Sequence, residues 1–578
     1  MKAPNEPSTM DRRTFLGGVG LLGTGLAATG LFGCASAGDG KASAEESSPA
    51  AQSTDGGDAW LGAEPEISDE ECVETLEVEI LVVGGGTGGW FAAAAAAEEG
   101  ADVLLIDKLQ TPVGIRGSVG AVESKLHAEH GVTIDKADIL NDMIDLGNNE
   151  GDARLIKRWI DESGETADWY IDLLTRAGAR VGLEYNMPPE ETRYACWPTL
   201  IYSYDEETSV ITEAFDQAVS DAGGKTRYQT TMVKLIKEED GVVGAYATNE
   251  DGEYIRINAS KGVVLATGGY GGNKDMYLAL QKDLAKSIVT TSCWLSSTGD
   301  GIKAALWAGA AFDSVKSSMV FDRGVVPLEA EMKGPWDSGG GLLTFGSQPW
   351  LQVDANGRRF MNESSPYDFV VHAAKNLPEG CWYSLFDSNW KSDIERFHTI
   401  NCSTLVEREG GFNGHWFTLN KMSGTEGLAG VDMAEALLRT AVEGGFVCEA
   451  DTLEEICEKA GMPYENLDAT VARYNELYDA QNDEDFGKEA FRLSAVRTPP
   501  FYLARMGGVV LCTLDGIKVD ADTMAALDTD GNPIEGLYMA GVDLGGYFGL
   551  SYDNLAGGSN AGRMATLGRS LGKALANA

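Results

Sequence analysis

The chain has 578 residues and 61.5 kDa, with 43% hydrophobic and 23% charged residues, too long for one simple core and therefore expected to form at least two compact units. Its 45 basic against 89 acidic residues give a formal charge of -44, which repels polyanions and excludes nucleic acid as a partner. Nine cysteines without a C-x-x-C pair, and five histidines without an H-E-x-x-H, provide no haem, iron–sulfur or zinc motif, so an organic cofactor is left to carry any redox chemistry.

In chain order, residues 10–34 place Arg12 and Arg13 before Phe15, Leu16 and a mildly apolar Gly/Ala/Leu run. This resembles a twin-arginine export signal, and its glycine content argues against a transmembrane helix. Leu31, Phe32, Gly33 and Cys34 also resemble a lipoprotein processing site, with an ordinary leader ending as the alternative. An exported, extracytoplasmic protein is expected, with a leader over 1–37, a lipid anchor possible at Cys34 and a disordered linker over 38–74. The linker is rich in Ala, Ser, Gly, Glu and Asp and has too little apolar surface to offset its chain entropy.

The apolar run Val78–Val83 predicts a strand, the glycine turn and Ala-rich stretch that follow predict a helix, and Val103–Ile106 predicts a second strand. Gly84, Gly86 and Gly89 fill G-x-G-x-x-G between strand and helix, where bare backbone lets a pyrophosphate reach the helix N-terminus; Thr87 and Gly88 belong to the same turn. Asp107 ends the second strand, followed by Lys108, and is placed to accept hydrogen bonds from an adenosine ribose. NAD and FAD share this unit. Further candidate contacts come from Gly117, Ser118, Gly120 and Ala121, from Val233, and from Ala266, Thr267 and Gly268 after the buried run GVVL. Gly541, Val542 and Asp543, then Ser559, Asn560 and Ala561 at the start of a last helix, complete the set.

These segments, with STGDGIKAALWAGA (Ser297 to Ala310), GRRFMNES (Gly357 to Ser364) and the run Tyr478 to Lys488, resemble in this order the flavoprotein subunits of fumarate reductases and succinate dehydrogenases. The resemblance runs from about 75 to 578. It implies FAD, and an α/β fold in which a Rossmann-type FAD-binding domain over 75–310 and 500–578 carries an inserted α+β capping domain over 311–499 that binds substrate.

The family pattern breaks at the substrate. Fumarate needs cations and His donors around its two carboxylates. Here Cys512 stands in the segment that carries His in soluble family members, Ser551 and Tyr552 stand where the arginine after the last glycine turn is expected, and Tyr367 follows the Asn-Glu pair. The proton-donor arginine falls near Lys391. Asn362 to Tyr367 and Gly549 to Tyr552 are instead similar to flavin-dependent 3-ketosteroid dehydrogenases. That resemblance implies proton exchange through Tyr367 beside a carbonyl whose oxygen is polarised by Tyr552 and the N–H of Gly558. A phenol with an ordinary pKa of about 10 gives up its proton more readily than a guanidinium above about 12. His372 and His398 are secondary candidates, with structural roles the simpler assignment.

The expected activity is therefore reduction of an activated C=C bond in an enone or related unsaturated carbonyl, steroid-like ones included, by hydride from flavin N5 and a proton from tyrosine. A separate extracytoplasmic or membrane cytochrome or flavoprotein would supply the electrons. Alternatives are ketosteroid desaturation, reduction of fumarate or another carboxylate using Arg323, Arg358 or Arg359, and flavin binding without catalysis.

Overall fold

The computed structural model describes residues 59–183, 199–202, 209–239, 241–397, 405, 430–552 and 555–578. The expected leader, Cys34 and most of the expected linker lie outside these residues, as do Cys196, His398 and Cys402.

The predicted strand begins earlier than its apolar run, spanning Cys72–Val83, and the helix spans Thr87–Glu98. That strand lies at the middle of an eight-stranded sheet, parallel to Val103–Ile106 on one side and Tyr254–Leu265 on the other. Lys225–Arg227 and Pro533–Met539 extend the parallel arrangement outward. The central segments ILVV, VLLI and GVVL are buried almost throughout, as expected for strands covered on both faces. An antiparallel hairpin, Thr231–Glu238 with Gly241–Thr248, adds to the Tyr254–Leu265 strand.

The first helix is buried from Thr87 to Ala97, and the last helix, Ser559–Ala576, packs along it. Glycine permits this approach: a Cβ at Gly568 would lie 2.4 Å from the Gly88 carbonyl oxygen, and one at Gly572 2.1 Å from that of Ala92. The end of the chain thus clamps the helix that begins the protein's first glycine turn.

A second, seven-stranded sheet is built on the thirteen-residue strand Phe501–Thr513. Its first half pairs with Trp382–Phe386 and Val447–Ala450, its second half with Ser318–Val326 and Ile288–Thr291. The domain boundaries expected at 310 and 499 are therefore not sheet boundaries: this sheet draws strands from both sides of each. The physical reason is length, because no single neighbour is long enough to satisfy the ladder of the central strand. The central strand, which begins just after 499, carries Cys512 and Thr513 toward the cofactor-side turns, where Thr513 lies against Gly269. The fold is α/β, with a parallel dinucleotide-binding unit and an α+β cap.

Candidate active site

The first glycine turn has two kinds of constraint. Gly84 has φ +105° and lies against Ala266, and Gly89 lies so close to the Gly84 carbonyl that a Cβ there would sit 1.9 Å from its oxygen. Gly86 differs: the nearest atom to a Cβ there, the Val113 oxygen, is 3.8 Å away, so its Cα faces open space at the helix start. Asp107 receives the N–H of Gly85 at 2.7 Å on one carboxylate oxygen and that of Leu109 at 2.8 Å on the other. Each oxygen retains acceptor capacity for a ribose hydroxyl. Burial pushes the Asp107 carboxyl up, and the two N–H bonds oppose this. Open backbone at a helix N-terminus and an acceptor at the end of the second strand fit a dinucleotide.

Other expected cofactor residues hold the turns themselves. The Thr87 hydroxyl donates to the Gly114 carbonyl at 3.0 Å and accepts the Arg116 N–H at 3.0 Å, fastening the second chain passage to the first helix. Asp543 accepts the Thr267 N–H at 2.5 Å and hydroxyl at 2.7 Å on one oxygen, and the Gly269 N–H at 2.8 Å on the other. Its side chain staples the turn containing Ala266, Thr267 and Gly268 to Gly541, Val542 and itself. Lys108 reaches Asp300 at 2.6 Å and the Thr298 hydroxyl at 2.8 Å. Val233 lies at the irregularity of its hairpin, after Thr230, whose N–H donates to the Asp107 carbonyl at 2.9 Å. Gly117 precedes the short strand Ser118–Val119, and Ala121 is buried. The Gly120 N–H donates to the Gly558 carbonyl at 2.9 Å, joining that passage to the last helix, whose first turn contains Ser559, Asn560 and Ala561.

On the substrate side, Tyr367 opens the Tyr367–Ala374 helix and Tyr552 follows the last glycine-rich loop; they are 6% and 1% exposed, and therefore shielded from water. Their rings are parallel within 10°, with centroids 6.3 Å apart. Phe321 meets Tyr367 edge-on at 4.7 Å, and Phe548 meets Tyr552 at 5.3 Å. Two buried guanidiniums bracket this row: Arg323 lies 4.3 Å from the Phe321 ring centroid, and Arg563 lies 5.3 Å from that of Phe548. Cys512 receives the Asn560 amide at 3.1 Å, Asn560 accepts from Arg563 at 3.0 Å, and burial raises the Cys512 thiol. These contacts identify Cys512 as a packed thiol rather than a nucleophile. Gly558 is the left-handed residue preceding the last helix, at φ +73°.

Lys391 is not brought to this row. It lies on the surface in an ion pair with Glu435 at 2.7 Å, with both side chains 46% exposed, which removes the basis for expecting it to be a buried proton donor. Of the three arginines named for a carboxylate site, Arg358 is exposed. Arg359 is locked between Glu363 and Asp483, each at 2.8 Å, in a buried network that Lys488 joins. Only Arg323 reaches the aromatic row. His372 lies one turn beyond Tyr367 on the same helix, its Nε2 3.3 Å from the buried Asp368. Phe321, Phe548 and Arg563 were not singled out from the sequence. The period of two along the strand, which puts Met319, Phe321 and Arg323 on one face, was the available signal for the first.

The parallel sheet with its glycine cradle, the second sheet and the buried aromatic row define a dinucleotide-dependent enzyme with a substrate cap. The chain belongs to the FAD binding domain family, whose model matches residues 79–559. Vinyl phenol reductase of Lactiplantibacillus plantarum is 28% identical over 504 residues, covering 86% of this chain and 95% of that protein. A 3-oxosteroid 1-dehydrogenase of Mycobacterium tuberculosis is 29% identical over 354 residues, 55% of this chain and 54% of that protein. The open conformation of a flavocytochrome c3 fumarate reductase superposes with a TM-score of 0.59 at 24% identity, over 88% of this chain and 79% of that one. The cofactor is FAD, and the chain is an FAD-dependent oxidoreductase of the group that acts on carbon–carbon double bonds.

Proposed function

We propose that the protein reduces the activated C=C bond of a small conjugated substrate. The observation that carries this reading is the water-shielded parallel pair Tyr367 and Tyr552 in a row of aromatic rings. Such walls bind a flat π-system, and the two phenols supply acid and hydrogen-bond donor functions. FAD held by the first glycine turn and Asp107 would, when reduced, supply the hydride to the alkene. Tyr552, with the N–H of Gly558, donates hydrogen bonds to the substrate oxygen on which negative charge develops. That oxygen is the carbonyl oxygen of an enone or, for a 4-vinylphenol, the ring oxygen of the quinone methide formed when the phenol proton leaves and the terminal alkene carbon is protonated. The quinone methide then takes hydride at the benzylic carbon. Tyr367 delivers its proton to the α carbon and is reprotonated from solvent when the cap opens. The similarity to vinyl phenol reductase along almost its whole length supports a small aryl-conjugated alkene over a steroid; the steroid dehydrogenase similarity supports the oxidative direction as second reading.

The test is anaerobic reoxidation of the dithionite-reduced flavin by vinylphenols, enones, enone steroids and fumarate. Rapid reoxidation by neutral conjugated alkenes supports the reading. Reoxidation by fumarate alone refutes it, and turnover only from saturated ketosteroid to artificial acceptor selects desaturation. We further propose export by the twin-arginine route, supported by Arg12 and Arg13, with electrons arriving from a separate cytochrome or flavoprotein. Replacing both arginines by lysine is expected to retain the protein in the cytoplasmic fraction. Unaltered export would refute the route.

A further inference from the structure

Tyr367 and Tyr552 reach one another from separate elements, so their relative placement has to be set by contacts between those elements. Tyr552 ends the loop that begins at Gly545 and also carries Phe548 and Gly549. Asp313 holds the start of this loop. One of its carboxylate oxygens accepts the Gly546 N–H at 2.8 Å and the Gly516 N–H at 3.1 Å, and a Cβ at Gly545 would lie 2.1 Å from that oxygen. Ser317, further along the same segment, holds the far end: its hydroxyl donates to the Gly549 carbonyl at 2.7 Å, between Phe548 and Tyr552. Ser317 is itself buried and fixed, because its carbonyl accepts the Leu514 N–H at 2.9 Å and the Gln281 amide at 3.1 Å.

Ser317 leads directly into the strand Ser318–Val326, which pairs with the central strand through Ser318–Thr513, Met319–Cys512 and Val320–Val510. On that strand the Val320 N–H donates to Asp368 Oδ1 at 3.1 Å. Asp368 is buried and adjoins Tyr367 at the start of its helix, and its other oxygen faces His372 Nε2 at 3.3 Å. The same strand contributes Phe321, edge-on to the Tyr367 ring. A short piece of paired strand is thus bonded at one end to the Tyr552 loop and at the other to the Tyr367 helix. Backbone held in a ladder yields little over such a span, so side-chain bonds at its two ends transmit position from one tyrosine to the other.

We infer that Ser317 and Asp368 are positioning residues that, through the strand between them, fix the Tyr552 ring against the Tyr367 ring at a centroid separation of 6.3 Å. This rests on the reading that both tyrosines serve one substrate. Acid and hydrogen-bond donor then address atoms of the same molecule, where a misplacement of about 1 Å costs up to about 100-fold in rate.

The experiment is a double-mutant cycle on the intact FAD-loaded protein. Single-turnover reoxidation of the reduced flavin by 4-vinylphenol is followed in the native chain, S317A, Y552F and S317A/Y552F, with FAD content and melting temperature as controls. S317A is expected to lower the rate at saturating alkene by about 10- to 100-fold, with half-saturation changed less than about threefold. The loss should shrink below about threefold once Tyr552 is already Phe. S317T, which keeps the hydroxyl, and D368N, which keeps an oxygen for the Val320 N–H, are each expected to recover part of the loss seen in S317A and D368A. Equal losses for S317A in the native and Y552F backgrounds overturn the inference, as does full rate in a well-folded S317A. The cycle of D368A with Y367F repeats the test at the other end of the strand and decides it where S317A does not fold. A second readout needs no substrate: with fluorotyrosine incorporated, the fluorine resonance lost in Y552F marks Tyr552, and it is expected to shift or broaden in S317A. An unmoved resonance refutes the positioning role. If no conjugated alkene reoxidises the native protein, the reading of the function fails, and the fluorine resonance alone decides the inference.

Discussion

Tyr552 is 1% exposed and stands in a wall of rings, so its hydroxyl acts in a medium where a single well-aimed donor is worth more than in water. Tyr552→Phe keeps the ring packing against Phe548 and removes only the donor, and kcat is expected to drop by roughly 10²- to 10³-fold with FAD content unchanged. Stopped-flow reoxidation of the reduced flavin measures this directly; a loss below threefold contradicts the assignment. A different buried acid sets a pH dependence of stability. Asp515 accepts the Tyr270 hydroxyl at 2.8 Å and the Gln281 amide at 3.1 Å, and burial pushes its carboxyl up from 3.8 to about 7. The folded state therefore holds a proton that the unfolded chain releases above about pH 4, and stability from this group is lost as pH rises from about 4 to 7. Asp515→Asn cannot ionise. Calorimetry should show its melting temperature falling less than the native one between pH 5 and 8, with the variants crossing toward higher relative stability at the alkaline end. Parallel pH profiles would show that Asp515 does not titrate in that window.

At the scale of elements, the last helix controls the cofactor turn through glycines that touch backbone. A Cβ at Gly568 would press 2.4 Å from the Gly88 oxygen, in the turn that opens the first helix. Gly568→Ala is expected to cost about 1–3 kcal/mol and to weaken FAD retention on gel filtration. Lys573→Ala on the same helix removes only an exposed pair with Glu165 and should change neither. Strand, turn, helix and second strand were legible in the sequence because a buried parallel strand reads as an unbroken apolar run and a tight turn demands glycine. The cofactor half could be followed to Asp107 for that reason. Three things were not legible. The strand Phe501–Thr513 is apolar but for Arg505 and Thr513, and nothing in such a run says which sheet it joins. Asp543 looks like a ligand in sequence, yet its oxygens are engaged by Thr267 and Gly269, a choice made by turn geometry. Lys391 followed from aligning a helix whose charged face, in the structure, points to solvent and Glu435. Tyr367, Tyr552 and Arg323 could be named, but Phe321, Phe548 and Arg563 could not be grouped with them, because they come from segments that only the packing brings together.

For the whole molecule, the net charge is -44. Such a field governs encounter with charged electron donors. Reduction of the flavin by a cationic viologen radical is expected to slow by roughly tenfold between about 20 and 500 mM salt, whereas reduction by the anionic dithionite radical should quicken. Insensitivity of both would show that the charge lies away from the path of entry. In the function proposed above, two tyrosines in place of arginines make this flavoprotein a reductase of conjugated alkenes rather than of dicarboxylates. The direct measurement is single-turnover reoxidation of the reduced protein by 4-vinylphenol and by fumarate at equal concentration, in the native chain and in Tyr552→Phe. Rapid reoxidation by the conjugated alkene, its loss in the variant, and little response to fumarate are expected. Rapid reoxidation by fumarate, unchanged in Tyr552→Phe, would contradict it.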